Sequence, residues 1–325
     1  MKAIVYTKYG PPDVLQLKEI EKPISQDHEV LIKVHAASVN ASDWEFLNGR
    51  PLYTRIWGPL KPKYQILGSD IAGRVEATGR NVKLFQLGDA VFGDILGHWG
   101  GFAEYVCAPE DALMLKPASM TFEEAAAIPQ AALVALQGLR DKGSIQPGQK
   151  ILINGAGGGS GTFAVQIAKS FGAEVTGVDS PEKLDMMCSI GADYVIDYTQ
   201  EDFTENGQCY DLILDLVASH SIFDYKRALS PGGVYVMVGG SLTYIFQTLL
   251  LGSLISMTGT KKMGILGAKP NKDLAFMIEL IESDKVVPVI DKSYPLSEVP
   301  DALRYLGEGH AKGKVVITLD SNNKT

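Results

Sequence analysis

The sequence predicts an α/β chain in two parts, a β-rich first third followed by a doubly wound parallel sheet. Three observations carry this. Short runs of β-formers, separated by Gly, Pro and Asp, fill the N-terminal region. From Lys150 onward, β-branched strands alternate with helical runs, the pattern of a parallel sheet with helices on both faces. Between the first of those strands and the first helix, five glycines fall within the seven residues Gly155–Gly161.

The N-terminal strands are expected at Ala3–Tyr6, Leu15–Glu19, Glu29–Ala36, Ala72–Ala77, Asp89–Phe92 and Ala103–Ala108. Thr121 followed by Glu124 has the spacing of a capping box, and the Ala- and Leu-rich Ala125–Leu139 reads as the helix behind it. The parallel strands are expected at Ile151–Asn154, Glu174–Val178, Tyr194–Asp197, Asp211–Leu216 and Val234–Val238. Helices are expected at Gly159–Phe171, Pro181–Ile190, His220–Leu229, and a short one near Gln200–Asn206. The C-terminal part should hold helices over Lys272–Ser283 and Ser297–Leu306 and a closing strand over Lys314–Leu319.

Composition narrows the function. The 325 residues are 46% hydrophobic and 21% charged, an ordinary globular balance. The formal net charge is −8, and no long block of Lys or Arg occurs, so nucleic acid is not the expected partner. Cys107, Cys188 and Cys209 are far apart and show neither a disulfide framework nor zinc spacing, which fits a reducing cytoplasm. Met1–Val5 leads straight into a strand-like segment, so a secretory leader is not expected. No charged residue occurs between Arg227 and Lys261, but glycines and Pro231 interrupt the stretch. It reads as a buried strand, a loop, then an apolar helix or strand at a subunit interface or pocket wall, with peripheral membrane contact left open.

The glycine loop has the layout that a dinucleotide pyrophosphate requires: a tight turn, no obstructing side chains, and a helix N-terminus aimed at the anion. Asp179 ends the next strand, 18 residues after Gly161, near the spacing of a ribose-binding carboxylate. Asp179 can also be read as a helix N-cap ahead of Pro181.

Several segments together resemble one family. They are Val39–Asp43, Leu67–Gly73, Gly155–Lys169, Ile190–Tyr198, Tyr235–Gly240 and Gly313–Ile317. In this order and spacing they resemble the zinc-free medium-chain dehydrogenases/reductases of the quinone oxidoreductase, or zeta-crystallin-like, type. The resemblance implies a GroES-like β domain formed by both chain ends and a Rossmann-type domain inserted between them. The corresponding boundaries are 1–122, 123–264 and 265–325, with the active site in the cleft between the domains. It also implies a homodimer that reduces quinones, enones or related carbonyls with NADPH or NADH.

In the zinc-dependent branch, Cys stands where Asn40 stands and His where Ser69 stands; neither replacement is a good zinc ligand. No zinc is therefore expected, which favours acceptors whose developing oxyanion is delocalised. The resemblance places Ala156, Gly158, Gly159, Ser160 and Gly161 on the pyrophosphate. Asp179 favours NADH, whereas Ser180, Lys183 and Tyr198 suit the 2′-phosphate of NADPH, and family precedent favours NADPH. Val217, Gly239, Gly240 and Ser241 end the fourth and fifth strands and should border the nicotinamide. Lys314 either approaches the cofactor from the other domain or is a solvated lysine.

Asn40 is the first catalytic candidate, as a hydrogen-bond donor to ribose or substrate; its bland alternative is an Asx turn. Tyr53 is the second, as an oxyanion donor or proton relay, unless it only packs at the pocket lip. Trp44 and Trp57 offer a flat apolar wall. Gln130 is a candidate replacement for the hydrogen bond lost at Val134. The alternative functions are a nucleotide-binding structural or regulatory protein with little turnover, and a zinc alcohol dehydrogenase.

Overall fold

The computed structural model describes residues 1–56 and 58–319. Trp57 lies outside the described residues. The chain forms two compact units. The first comprises Met1–Gln130, Pro270–Leu274 and the segment from Ile290; the second comprises Ala131–Lys269 and Ala275–Val289.

The first unit is built on a seven-stranded sheet. Its path runs Ile290–Pro295, Lys314–Thr318, Glu29–Val39, Asp70–Thr78, Ala90–Asp94, Met114–Leu115, and Tyr105–Pro109 also pairs with Glu29–Val39. All pairs are antiparallel except Ile290–Pro295 with Lys314–Thr318. The long central strand Glu29–Val39 is buried along most of its length, so apolar residues dominate it. Ile32, Ile71, Val91, Phe102, Val315 and Ile317 are fully buried in its core. Each contributes about 1.5–3 kcal/mol of burial.

The second unit carries a six-stranded parallel sheet. Its order is Tyr194–Asp197, Glu174–Asp179, Lys150–Asn154, Tyr210–Asp215, Leu229–Met237, Lys262–Ile265. In sequence terms this is 3-2-1-4-5-6, the doubly wound order in which the strand direction of progression reverses beside the first strand. The described geometry therefore has the expected GroES-like and Rossmann-type sheets.

Several elements differ from expectation. The helix expected over 125–139 begins earlier and breaks. Thr121 caps Phe122–Ala127 through its reciprocal bonds with Glu124, and Pro129 then starts a new helix, Pro129–Leu136. Gln200–Asn206 forms turns rather than a helix, because Asp197 and Asp202 side chains bind the backbone just ahead of them. The sixth parallel strand, Lys262–Ile265, was not expected; it is short, begins with lysine, and owes its conformation to pairing with Leu229–Met237. Strand Ile290–Pro295 and helix Ala41–Asn48 were also not foreseen.

The unit boundaries also depart from those read from sequence. Residues 275–289 belong with the parallel-sheet unit, not with the C-terminal return. Gln166 explains part of this: its amide donates to Val287 O at 2.9 Å and accepts from Val287 N at 2.8 Å. Pro270–Leu274 belongs to the first unit, where Asn271 makes the corresponding double bond to the backbone of Asp94.

Candidate functional site

In the first unit, the sharp turn after Glu29–Val39 places Asn40 at the start of helix Ala41–Asn48. The side chain of Asn40 is not spent on the local turn alone. Its Nδ2 donates to Asp70 Oδ2 at 2.9 Å, and its Oδ1 accepts from Lys314 Nζ at 2.5 Å. Asp43 closes the helix start from the other side, accepting from Asn40 N at 2.8 Å and from Gly68 N at 2.9 Å.

Lys314 is not a solvated lysine. It is 2% exposed, because the first residue of the closing strand points its side chain inward against the end of Glu29–Val39. Its ammonium lies 3.8 Å from Asp70 Oδ2, farther than from the amide oxygen of Asn40. Asp70 is fully buried and also accepts from Ser38 Oγ at 3.2 Å and from Gln130 N at 3.1 and 3.2 Å. Gln130 joins the network through Ser42 Oγ at 2.8 Å and Ser69 Oγ at 3.3 Å.

Asp43, Asp70 and Asp94 are thus three buried carboxyls around one buried ammonium. They cannot all ionise cheaply in the interior. Burial pushes the Asp43 carboxyl up to about 7, against the bonds from Asn40 N and Gly68 N and the attraction of Lys314. Burial raises Asp70, and the neighbouring Asp94 adds to that. Burial also draws Lys314 below its ordinary value, while Asp70, Asp43 and Asp94 act in the opposite direction.

A stability prediction follows. Between the ordinary carboxyl value of 3.8 and about 7, folded Asp43 holds a proton that the unfolded chain has released. Raising pH through that window therefore weakens the folded state. The stability advantage of the natural chain over an Asp43→Asn variant should shrink as pH rises from about 4 to about 7. Thermal melts of both proteins across that range check it; a constant or growing advantage contradicts the buried protonated carboxyl.

Tyr53 stands in a short 3-10 turn, Leu52–Arg55, and is 45% exposed. Its hydroxyl donates to Glu45 Oε2 at 2.7 Å. Burial and this carboxylate both raise the phenol above its ordinary value, which weakens Tyr53 as a proton donor. Trp44 lies against Gly307, where an added Cβ would come within 2.6 Å of its ring.

In the second unit, strand Lys150–Asn154 ends at Gly155, whose φ of +87° is the left-handed turn that glycine permits. Gly158 then begins helix Gly159–Ser170, and no side chain caps that end. Two glycines have different physical tasks. A Cβ on Gly161 would fall 2.1 Å from Gly155 O, so this glycine lets helix and strand pack closely. A Cβ on Gly158 would meet only Gly155 O, at 3.5 Å, so the space beyond it is open. Ala156 is fully buried beneath the loop. The loop therefore has room and donors for a pyrophosphate: few side chains, an uncapped helix end, and open space at Gly158.

Asp179 faces back toward this loop. Its Oδ2 accepts from Gly157 N at 2.8 Å, and its Oδ1 accepts from Ser180 N at 2.9 Å and pairs with Lys183 Nζ at 3.1 Å. Ser180, rather than Asp179, occupies the N-cap position before Pro181–Lys183. Lys183 is 7% exposed, and its charge is committed to Asp179. Tyr198 is largely exposed just past strand Tyr194–Asp197.

Val217 is exposed beyond strand Tyr210–Asp215. Gly239 and Gly240 follow strand Leu229–Met237, and Ser241 opens the next helix. Because the strands are parallel, Asp179 at a strand's carboxyl end and the glycine loop, Tyr198, Val217 and Gly239–Ser241 beyond such ends all lie on one edge of the sheet. Lys314, Asn40 and Tyr53 belong to the first unit.

Sequence reasoning did not single out Asp70, Asp94 or Asp215. Asp215 is fully buried and holds the Val217-Ala218 turn: it accepts from Ala218 N at 2.9 Å, Asn154 Nδ2 at 2.9 Å and Tyr235 Oη at 2.8 Å. The available signal was a lone acid inside an apolar strand, as in Leu212-Ile213-Leu214-Asp215 and Asp70-Ile71-Ala72. Such an acid must find partners when its strand is buried. Among the described residues, no group of three or more His, Cys, Asp or Glu has metal-binding geometry.

The comparisons bear on this geometry. Residues 26–118 match the alcohol dehydrogenase GroES-like domain, and residues 190–317 match the domain described as zinc-binding dehydrogenase. A 2-methylene-furan-3-one reductase of Solanum lycopersicum is 36% identical over 98% of this chain and 79% of its own length. The chain belongs to the medium-chain dehydrogenase/reductase family, in its quinone oxidoreductase branch. An NADPH-dependent alkenal/one oxidoreductase of Arabidopsis thaliana is 34% identical over 98% of this chain and 79% of its own length. The quinone oxidoreductase of Coxiella burnetii is a structural neighbour with a TM-score of 0.87 and 30% identity, covering 98% of this chain and 99% of that one. The Asn40 amide is engaged with Asp70 and Lys314.

Proposed function

We propose that this chain is a zinc-independent oxidoreductase that reduces quinones or α,β-unsaturated carbonyls, with NADPH as the preferred cofactor. The observation that carries the reading is the buried Lys314 ammonium on Asn40 Oδ1. It would place a hydrogen-bond donor and, when protonated, positive charge beside Asn40, the amide proposed to act on the acceptor. When bound, the cofactor supplies a hydride to the acceptor.

The chain's own residues would do the rest. The Gly155–Gly161 backbone and the uncapped helix end would hold the pyrophosphate, and Gly158 would leave room for it. Asp179 would stiffen the loop through Gly157. Val217, Gly239, Gly240 and Ser241 would border the nicotinamide ring. Asn40, oriented by Asp70 and Lys314, would donate toward developing negative charge on the acceptor oxygen. The proton that completes reduction would come from solvent, since the Tyr53 hydroxyl is committed to Glu45. A delocalised enolate or hydroquinone anion tolerates that slow delivery better than a simple alkoxide does.

Cofactor preference rests on Asp179 and Lys183. Their mutual pairing removes the repulsion that a free Asp179 carboxylate would exert on a 2′-phosphate. Family precedent and the NADPH-dependent relative support NADPH. The assembly in this reading is a homodimer in a reducing, cytoplasmic compartment; Cys107, Cys188 and Cys209 as free thiols support the latter. No described helix is long and apolar enough to cross a membrane.

The test is steady-state reduction of a quinone and an enone with each cofactor, on the natural chain and on Asp179→Ser and Lys183→Met. The natural chain should turn over both acceptors and favour NADPH. Asp179→Ser, which frees the Lys183 charge, should raise that preference by about tenfold, and Lys183→Met should lower it similarly. Nucleotide binding without turnover on any acceptor would instead favour a structural or regulatory protein.

A further inference from the structure

In the parallel sheet the order of strands reverses between Lys150–Asn154 and Tyr210–Asp215. The crevice beyond such a switch point is where an open α/β sheet takes its ligand. The last residues of these two strands are register partners, and their side chains bond each other: Asn154 Nδ2 donates to Asp215 Oδ1 at 2.9 Å. The same oxygen accepts from Val217 N at 3.3 Å and Ala218 N at 2.9 Å. Asp215 Oδ2 accepts from Tyr235 Oη at 2.8 Å, and the Tyr225 hydroxyl donates to this carboxyl as well. Every partner is a donor. Asp215 is therefore used purely as an acceptor, a role that a carboxylate fills and an amide does not.

Tyr225 spends the rest of its hydroxyl on the next two residues of the turn. It accepts from Ser219 N at 3.1 Å and from His220 N at 3.4 Å. The successive N–H groups of residues 217 to 220 thus end on one buried carboxyl and on a phenol bonded to it. Tyr244 Oη donates to Ser219 O at 2.8 Å, and the His220 ring packs edge-on to Phe203 and Tyr225. A turn that only joined a strand to a helix could leave these groups to water. Here the backbone is bonded throughout while the Val217 side chain stays exposed above it. The turn also touches both neighbouring loops. A Cβ on Gly155 would lie 3.3 Å from Val217 Cγ1, and one on Gly240 would lie 2.7 Å from Ala218 Cβ.

We propose that Asp215 is a positioning residue for the nicotinamide ring, holding Val217 and Ala218 as a fixed wall at the switch point through Tyr225 and the backbone of residues 217–220; this rests on the nucleotide reading of the glycine loop. Asp215 acts through the turn and not on the ring itself. A wall already ordered in the free protein spares the cofactor the cost of ordering it on binding.

The experiment is titration of the full chain with NADPH and with 2′-phospho-ADP-ribose, the same nucleotide without its nicotinamide. The natural chain should bind NADPH more tightly. Asp215→Asn swaps one acceptor oxygen for a donor, so part of the turn loses its anchor. It should weaken NADPH binding by about tenfold and leave 2′-phospho-ADP-ribose within about twofold. Tyr225→Phe keeps the carboxyl and the ring stacked on Tyr235 but releases Ser219 N and His220 N. It should cost NADPH about threefold to tenfold, again with 2′-phospho-ADP-ribose unchanged, and it carries the test if Asp215→Asn melts early. The emission of bound NADPH at saturation is an independent signature; it should move toward that of free NADPH in both variants as the ring loses its wall. Equal losses for the two ligands, or no loss for either, would mark Asp215 as structural and overturn the proposal. Equal affinity of the natural chain for both ligands overturns it too, while the nucleotide reading stands. Binding of neither ligand by the natural chain overturns both.

Discussion

Lys314→Met should destabilise the protein by as much as about 3–5 kcal/mol, the usual result of removing one partner from a buried charge pair. Lys314 is the only cation described within the Asp43, Asp70 and Asp94 cluster. Without it, Asp70 loses its nearby ammonium, and Asn40 Oδ1 loses the bond at 2.5 Å. Asp70 can respond by keeping a proton, which limits the loss at acid pH and leaves it full at alkaline pH. Urea unfolding at several pH values measures this directly. Combining Lys314→Met with Asp70→Asn should recover part of the loss, because no buried carboxylate then faces an empty position. The pair should fail in catalysis even where it recovers stability: turnover should fall by about a hundredfold, the scale of losing one preorganised electrostatic group. Full activity in the double variant would exclude Lys314 from the proposed role.

The second large effect concerns two glycines only three residues apart. Gly161→Ala places a Cβ 2.1 Å from Gly155 O and 2.6 Å from the Ala156 backbone. Backbone atoms cannot rotate aside, so the helix start must move, at a cost of about 1–3 kcal/mol. Nucleotide affinity should fall with it. Gly158→Leu is different. Its backbone, with φ −85° and ψ −178°, suits any residue, and the added side chain enters open space. Stability should stay within about 0.5 kcal/mol of the natural chain. NADPH affinity should nevertheless drop by about a hundredfold, roughly 2.7 kcal/mol, because the leucine occupies the approach of the pyrophosphate. Fluorescence titration with NADPH and a thermal melt of each variant separate the two cases. Unchanged NADPH affinity in Gly158→Leu would remove the loop from the nucleotide site.

Asp179 shows how local spacing can find a residue without finding its partner. Its position after the second parallel strand was legible, since strand periodicity and the glycine loop both counted toward it. Its partners were not. The carboxylate turns back to Gly157 N and Lys183 because β-strand ends bring the loop and the following turn together, a contact between residues 22 positions apart. Lys314 is the stronger case. From sequence it was equally a cofactor neighbour or a solvated lysine. Burial against Asn40 arises only because the closing strand pairs antiparallel with Glu29–Val39, some 274 residues earlier.

By itself, the sequence determined what depends on local chemistry. The switch from β runs to βα alternation, the tight glycine-rich turn of Gly155–Gly161 and the Thr121 capping box are properties of neighbouring residues. Each is dictated by sterics, propensity or donor type, whatever the rest of the chain does. Only the tertiary structure decided the polar network of Asn40, Asp70, Lys314 and Gln130, the inward turn of Asp179, and the bond of Asn154 to Asp215. Those depend on which strands lie side by side. A buried lysine such as Lys314 looks like any exposed one in sequence; its changed proton affinity comes from the loss of water around it, and that is a property of the fold.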